Sequence, residues 1–371
     1  MNKRKVAIAC QGGGSHAAFA AGVLSGLLSG EDGDRFDQRY RLVALSGTSG
    51  GAVCASLVWS GLHSKGHDDK EGRAEASRRL LGFWRDLEAW WPLDQWINAC
   101  ALAFARLPFT FEVSPYLCIP FAEARLRQLL ERHLRLEELR RQAQPRSCPK
   151  LLVGVTDVLR GAGKPRWGDT LTYDDIVASA AIPPIFRAVR IDHSCYWDGL
   201  FNRNPPIREF TDIAPADRPD EIWVVRVNPI ERHEEPVLMR EIIDRRNELA
   251  GNVALDQELY HISKINELLD DAKPEDLEHV RKVAPGLAGK LVKYRRITLR
   301  QVELPFGDLD YPSKLDRSPA HLARLFDAGI RAAGSFFQDR SLILRDDLRE
   351  RVKPVGAGKT ETKAGSARQA A

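Results

Sequence analysis

The chain has 371 residues, 43% of them hydrophobic, enough to fill the core of one large α/β domain with an appended region. Its formal charge of +4 comes from basic residues spread along the chain. That spread argues against a nucleic-acid partner, which requires a concentrated basic face, and is compatible with weak attraction to an anionic membrane surface. Six cysteines, at 10, 54, 100, 118, 148 and 195, show no C-x-x-C pair and no metal-like spacing with histidine. Free thiols in a reducing compartment are expected, with no metal and no cofactor.

The basic then apolar start, Met1 to Cys10, stops at Gln11-Gly12, too soon for a signal peptide. Val6–Cys10 reads as a first core strand and the location as cytoplasmic, possible contact with a membrane periphery included. No uninterrupted apolar stretch is long enough to span a bilayer. Gln11-Gly12-Gly13-Gly14-Ser15 reads as a tight loop, and 17–28 as a buried helix of small residues. Strand, glycine loop and helix together present backbone N–H groups to an anion. A dinucleotide loop begins in the same way. Against it, the sixth motif position is Ala17, no acidic residue ends a clear second strand, and a second glycine-serine motif follows too soon.

That second motif is Gly47-Thr48-Ser49-Gly50-Gly51, a G-x-S-x-G between an apolar strand (40–45) and an apolar helix (51–59). A serine at such a junction is a nucleophile elbow. Gly47 and Gly51 leave room for strand and helix to pack closely, and Ser49 is held near the free N–H groups of a helix start. The glycine loop then supplies oxyanion donors and Ser49 the nucleophile; a base is still required.

Residues 62–80 read as a polar loop with an exposed turn at Gly66–Gly72; His63 and His67 fall in it as solvated residues, since no third ligand is in view. From 80 to 121 aromatic residues crowd together: Trp84, Trp90, Trp91, Trp96, Phe104, Phe109, Phe111, Tyr116 and Phe121. They suit either a cap over the serine, with an acyl pocket or an interfacial face, or ordinary core helices. Residues 122–142 read as one amphipathic, largely solvated helix and 150–158 as a buried strand. A helix from 174 stops at Pro183-Pro184. A strand-like run from 190 leads into Asp198-Gly199 and a turn-rich segment through Asn204-Pro205-Pro206. Asp198 sits where an active-site carboxylate can sit, although Asp-Gly by itself is commonly a plain turn. Beyond it, 221–227 and 294–302 read as strands and 240–270 and 318–337 as helices, the last with Ser318 as N-cap and Pro319 at N1.

In this order the chain resembles the patatin-like phospholipases. Gly12-Gly13-Gly14, Gly47-Thr48-Ser49-Gly50-Gly51 and Asp198-Gly199 match that family's oxyanion loop, serine and aspartate. The run Ala178-Ser179-Ala180-Ala181-Ile182-Pro183-Pro184 and the pair Asn204-Pro205 match the blocks on either side of the aspartate. The resemblance implies a three-layer α/β/α fold with a mainly helical C-terminal extension. It also implies a lipid acyl hydrolase in which Asp198 completes a Ser-Asp dyad with Ser49, and Gly12, Gly13, Gly14 and Gly50 form the oxyanion hole. The expected organisation is a catalytic domain over 1–235, with 80–145 as a helical cap, a C-terminal region over 236–345 and a disordered tail over 353–371. Three positions depart from the family pattern. His16 and Ala17 stand where many members carry Arg or Lys and then Gly, and Leu200 where Gly or Ala is common.

Two further readings stay open at this stage: a non-catalytic lipid- or protein-binding member of the fold, and an acyltransferase that passes the acyl group to an alcohol. A Ser-His-Asp hydrolase fits poorly, because His261, His279 and His321 lie in helical segments and Ser49 comes unusually early. His193 reads as a surface residue.

Overall fold

The computed structural model describes residues 3–338 except 66–69, 108–112, 118, 142–147, 184, 272–273, 287–293 and 308. The tail expected over 353–371, His67, Phe109 and Phe111 lie outside the described residues. Along β1 (Arg4–Cys10) alternate residues enter two different cores: Val6, Ile8 and Cys10 one, Ala7 and Ala9 the other. A strand apolar on both sides belongs in the middle of a parallel sheet covered on both faces. After α1 (Ala17–Leu28) and α2 (Gly30–Arg39), β2 (Tyr40–Gly47) pairs with it in parallel, Cys10 opposite Gly47.

The helices α3 (Gly50–Lys65), α4 (Lys70–Leu87), α5 (Pro92–Ala105), α6 (Phe121–Leu134) and α7 (Leu136–Arg141) follow before β3 (Lys150–Val153). The single helix expected over 122–142 is broken at Arg135, whose φ of 53° is left-handed. The break turns Leu136 and Leu139 of α7 into the core beside Leu129, Leu130 and Leu134 of α6, so the segment is less solvated than its charge suggested. His63, expected in a loop, is on α3 and buried. Its Nδ1 meets the Trp59 carbonyl at 3.0 Å and its ring lies 4.2 Å from the Trp59 ring.

The strand expected over 150–158 divides at Gly154. Its first part, β3, stays in the main sheet, and its second, β4 (Val155–Asp157), enters another. β5 (Ala162–Gly163) pairs with β4, while β6 (Arg166–Trp167) pairs antiparallel with β3 at the edge of the main sheet. After α8 (Tyr173–Ser179), β7 (Val189–Ile191) and β8 (Ser194–Asp198) complete a four-stranded antiparallel sheet in the order β5-β4-β8-β7. α8 starts on a capping box between Thr172 and Asp175. It ends at Ser179, ahead of the prolines, because the chain beyond is needed elsewhere: the Ala181 carbonyl accepts the Asp198 N–H at 3.0 Å.

The chain after 220 supplies further parts of the same body. β9 (Glu221–Arg226) and β10 (Thr298–Glu303) extend the main sheet to the order β10-β9-β1-β2-β3-β6, parallel except for β6. α9 (Met239–Asp271) lays Leu255, Leu259 and Ile262 over the Ala7, Ala9 and Val224 face. α10 (Pro274–Val283) and the short α11 (Tyr311–Leu315) precede α12 (Pro319–Gln338), which packs on the opposite face against α1. The result is a three-layer α/β/α arrangement.

α1 and α12 meet backbone to backbone. A Cβ at Gly329 would lie 2.2 Å from the Phe19 carbonyl oxygen, and one at Gly22 2.0 Å from that of Phe326. Gly329→Ala is therefore expected to lower stability by about 1–3 kcal/mol in denaturant unfolding, the cost of overpacking. This sign is opposite to the intrinsic helix preference of alanine over glycine. Gly307→Ala, with no atom within 4 Å of its added Cβ, is the control that should leave stability unchanged.

Candidate active site

β1 and β2 end side by side at the carboxyl edge of the main sheet, where open α/β sheets place their ligands. Ser49, between β2 and α3, has a φ of 55°. A non-glycine residue in this left-handed region costs on the order of 1–3 kcal/mol, so the surroundings must enforce it. Steric closeness does part of this. A Cβ at Gly47 would sit 2.3 Å from the Gly51 carbonyl oxygen, and one at Gly51 2.3 Å from that of Cys10. Hydrogen bonds do the rest. Ser49 N–H donates to Ser179 Oγ at 3.0 Å, the Ser179 hydroxyl donates to the Gly154 carbonyl at 2.7 Å, and Ser49 C=O accepts from Ala52 and Val53. Thr48 Oγ1 donates to the Arg203 carbonyl.

Asp198 arrives from the second sheet. Its β8 pairs with β4, Val155 opposite Asp198, while Gly154 N–H holds the Gly47 carbonyl at 2.9 Å. The division of the strand at Gly154 thus hands the chain from the serine's sheet to the aspartate's. The Asp198 carboxylate, in a residue 2% exposed, accepts the Leu200 N–H at 2.8 Å and faces the same cleft as Ser49. Burial lifts its pKa to about 7, against the smaller opposing effects of the Leu200 and Ser49 hydrogen bonds.

The glycine loop lies beside the pair. Gly12 does not offer its N–H to the cleft, contrary to the expectation for it: the group donates to Asn204 Oδ1 at 2.8 Å. Gly12 instead backs the serine, since a Cβ there would lie 2.7 Å from Ser49 Cβ. Gly13 and Gly14 lead into a helical turn, and Gly50 opens α3; N–H groups at helix starts have no intrahelical acceptor. Buried amides brace the loop. Gln11 Oε1 accepts from Val227 and Asn228 N–H, Gln11 Nε2 donates to Asn252 on α9, and Asn228 Nδ2 donates to the Gly12 carbonyl. A buried ionic cluster lies next to it, with Lys314 of α11 held by Asp244 at 2.5 Å and by Glu248 at 2.8 Å. None of Ser179, Gln11, Asn228, Asn252 or Lys314 carries a sequence signal for these roles, because each acts through a partner far along the chain.

The departures from the family pattern fit their surroundings. His16 is buried, its Nε2 2.8 Å from Ser313 Oγ. Burial, with Lys314, His321 and Arg232 adding to it, holds its imidazole well below the usual histidine range, so it is neutral where many members carry a cation. Ala17 packs against Gly50, whose added Cβ would lie 2.6 Å from Ala17 Cβ. Leu200 rests on Gly251 of α9, where a Cβ would meet Leu200 Cδ1 at 2.6 Å.

Ser49 and Asp198 lie in a cleft of about 1560 Å³ lined mainly by apolar side chains, among them Phe83, Trp91, Leu93, Phe104, Phe121 and Ile182. The aromatic stretch divides between the two roles open to it: Trp84 is core, at 4% exposed, and only borders the cleft, whereas Trp91, Phe104 and Phe121 line it while standing largely exposed. No histidine lines it among the described residues. His193 is exposed at the turn between β7 and β8.

A serine at a strained strand-to-helix turn on the carboxyl edge of a parallel sheet places the chain among α/β proteins built around a nucleophile elbow. The family model described as "Patatin-like phospholipase" matches residues 8–211. The chain belongs to that family. Among solved structures it is similar to VipD from Legionella pneumophila, with 13% identity over 91% of this chain and 67% of VipD and a TM-score of 0.41. It is also similar to the type III effector protein ExoU, with 12% identity over 90% of this chain and a TM-score of 0.31. The chain spans about half of ExoU, 52% of its length. No curated protein sequence matches it.

Ser179→Ala leaves the Ser49 N–H and the Gly154 carbonyl buried without their shared partner. Its expected cost is about 1–3 kcal/mol of stability, measured by denaturant unfolding.

Proposed function

We propose that this protein is a carboxylic ester hydrolase acting on lipid acyl groups, with Ser49 as nucleophile and Asp198 as its base. The observation that carries this reading is the convergence in one apolar cleft of Ser49, on its strained strand-to-helix turn, and the buried Asp198, whose pKa burial lifts to about 7. A free aspartate, at about 3.9, is a poor acceptor for a serine proton. Burial makes this one a stronger base while leaving it largely ionised above neutral pH.

In the proposed reaction Ser49 Oγ attacks the ester carbonyl carbon and its proton passes to Asp198. Backbone N–H groups of Gly13, Gly14 and Gly50 hold the oxyanion. Collapse breaks the ester C–O bond, and the leaving alkoxide takes the proton from Asp198. Water then attacks the acyl-enzyme, Asp198 accepts a proton from it, and the proton returns to Ser49 as the fatty acid departs. The apolar cleft suits a long acyl chain and excludes water from the reacting pair. We further infer a cytoplasmic protein that meets its lipid at a membrane surface, with no nucleic acid, metal or cofactor involved. With an added alcohol, formation of a new ester in place of free acid would identify the acyltransferase variant of the same chemistry.

Wild type is expected to hydrolyse short and long p-nitrophenyl esters, and Ser49→Ala and Asp198→Asn to lose nearly all of that turnover. An inert wild type that also resists labelling by a fluorophosphonate would sink the hydrolase reading in favour of a lipid-binding one. The pH profile is a separate check. Protonated Asp198 cannot accept the serine proton, so kcat/KM should climb about tenfold per pH unit below a midpoint near 7 and level off above it. A midpoint near 4 would show that the base is a solvent-exposed carboxylate instead.

A further inference from the structure

Helix α5 is attached to the body by its polar side. Asp94 and Asn98, four residues apart, tie it to the body by hydrogen bonds, and Ala105 is its other buried residue besides Asn98. Asn98, 5% exposed, donates to Asp316 Oδ1 at 3.0 Å and accepts the Arg317 N–H at 3.0 Å, while Asp94 binds the Arg317 guanidinium at 2.6 Å. From Trp96 to Ala105 that buried asparagine is the only polar residue, and Trp96 and Phe104 stand 65% and 57% exposed. A surface helix normally turns its apolar stripe inward; this one leaves its largest apolar side chains, Leu93, Trp96 and Phe104, outward. The segment after it shows the same character, with Leu117 82% and Ile119 88% exposed.

We propose that α5 and the rim formed by residues 113–117 and 119–121 form a docking face for a lipid bilayer surface. Three observations select that occupant. The face is continuous with the cleft, because Leu93 and Phe104 of α5 and Val113 and Phe121 of the rim line the passage to Ser49. It lacks what a protein partner's rim requires, since the outward positions of α5 from Trp96 to Ala105 hold no charge and, apart from the tryptophan and the weakly polar Cys100 thiol, no hydrogen-bonding side chain. Its exposed Trp96, with the exposed Trp90 and Trp91 immediately before α5, is the residue type favoured at a membrane interface. At 14 residues α5 is about 21 Å long, short of the ~30 Å hydrocarbon core, so it lies in the interface instead of crossing it. An acyl chain then moves from bilayer to cleft without passing through water. The proposal rests on the lipid-hydrolase reading for its purpose, but the binding itself is measured without turnover.

The test is co-sedimentation with phosphatidylcholine vesicles, using Ser49→Ala to prevent hydrolysis. Trp96→Ser, Leu117→Ser and Ile119→Ser are combined, since all three residues are exposed and none lines the cleft. Ser49→Ala alone should partition to vesicles, and the triple substitution on that background should bind roughly 10- to 100-fold more weakly. With Ser49 intact, the triple variant should hydrolyse a soluble short-chain ester at the wild-type rate but lose turnover on vesicle lipid. Equal partitioning of the two proteins overturns the proposal. So does a concentration-dependent dimer that the triple variant abolishes while vesicle binding stays unchanged, which would make a second copy the occupant. If wild type fails on the soluble ester, the hydrolase reading falls, and the partitioning result still decides the docking face.

Discussion

Everything at the site depends on holding one serine in a backbone conformation that it resists. Ser49, at φ 55°, needs close approach of strand and helix, which Gly47 and Gly51 permit because neither has a Cβ to strike the facing carbonyl. It also needs an acceptor for its inward-turned N–H, which Ser179 provides. Ser179 in turn is anchored on Gly154, the residue where the chain leaves the serine's sheet for the aspartate's. The strain at the elbow and the approach of the carboxylate are thus consequences of the same few contacts. A shift in any of them moves both groups.

Burial has opposite effects on two titratable groups near the loop. Asp198 becomes a stronger base, close to neutrality, because its carboxylate loses water and the Leu200 N–H only partly replaces it. His16 becomes neutral, because desolvation and nearby cations both disfavour imidazolium. The glycine loop therefore has no cation of its own at position 16. Lys314, the cation that acts most strongly on His16, is already held by two carboxylates of α9.

The chain beyond residue 235 is bound to this site in several ways. α9 covers one face of the sheet, donates Asn252 to the Gln11 network and, through Gly251, makes room for Leu200. α11 places the Lys314 carbonyl against Gly14, and α12 packs on α1 with helix backbones in contact. Removing so much apolar cover would expose both sides of the glycine loop. A large hydrophobic core accounts for that cohesion more than the ion pairs do, since buried pairs return little beyond their desolvation cost.

The sequence by itself determined the strands β1, β2 and β9, the long helices after 240, and the positions of Ser49, Asp198 and the glycine run. These follow from local causes: apolar periodicity, glycine where side chains collide, and short motifs at element ends. Where local pattern and tertiary need diverged, the structure decided. The run from Lys150 is largely apolar and reads as one strand, but Gly154 divides it because two sheets compete for its two halves. The helix from Tyr173 could continue to the prolines, yet it ends early so that the Ala181 carbonyl can serve Asp198. Gly12 looks equivalent to its neighbours until Asn204, far along the chain, takes its N–H. The outward apolar face of α5 was equally unreadable, since the order of side chains is the same whether a helix is pinned by its apolar stripe or by Asp94 and Asn98. Local sequence fixes which residues can form an element; only contacts between distant segments fix which side of it turns inward and which of its polar groups remain free.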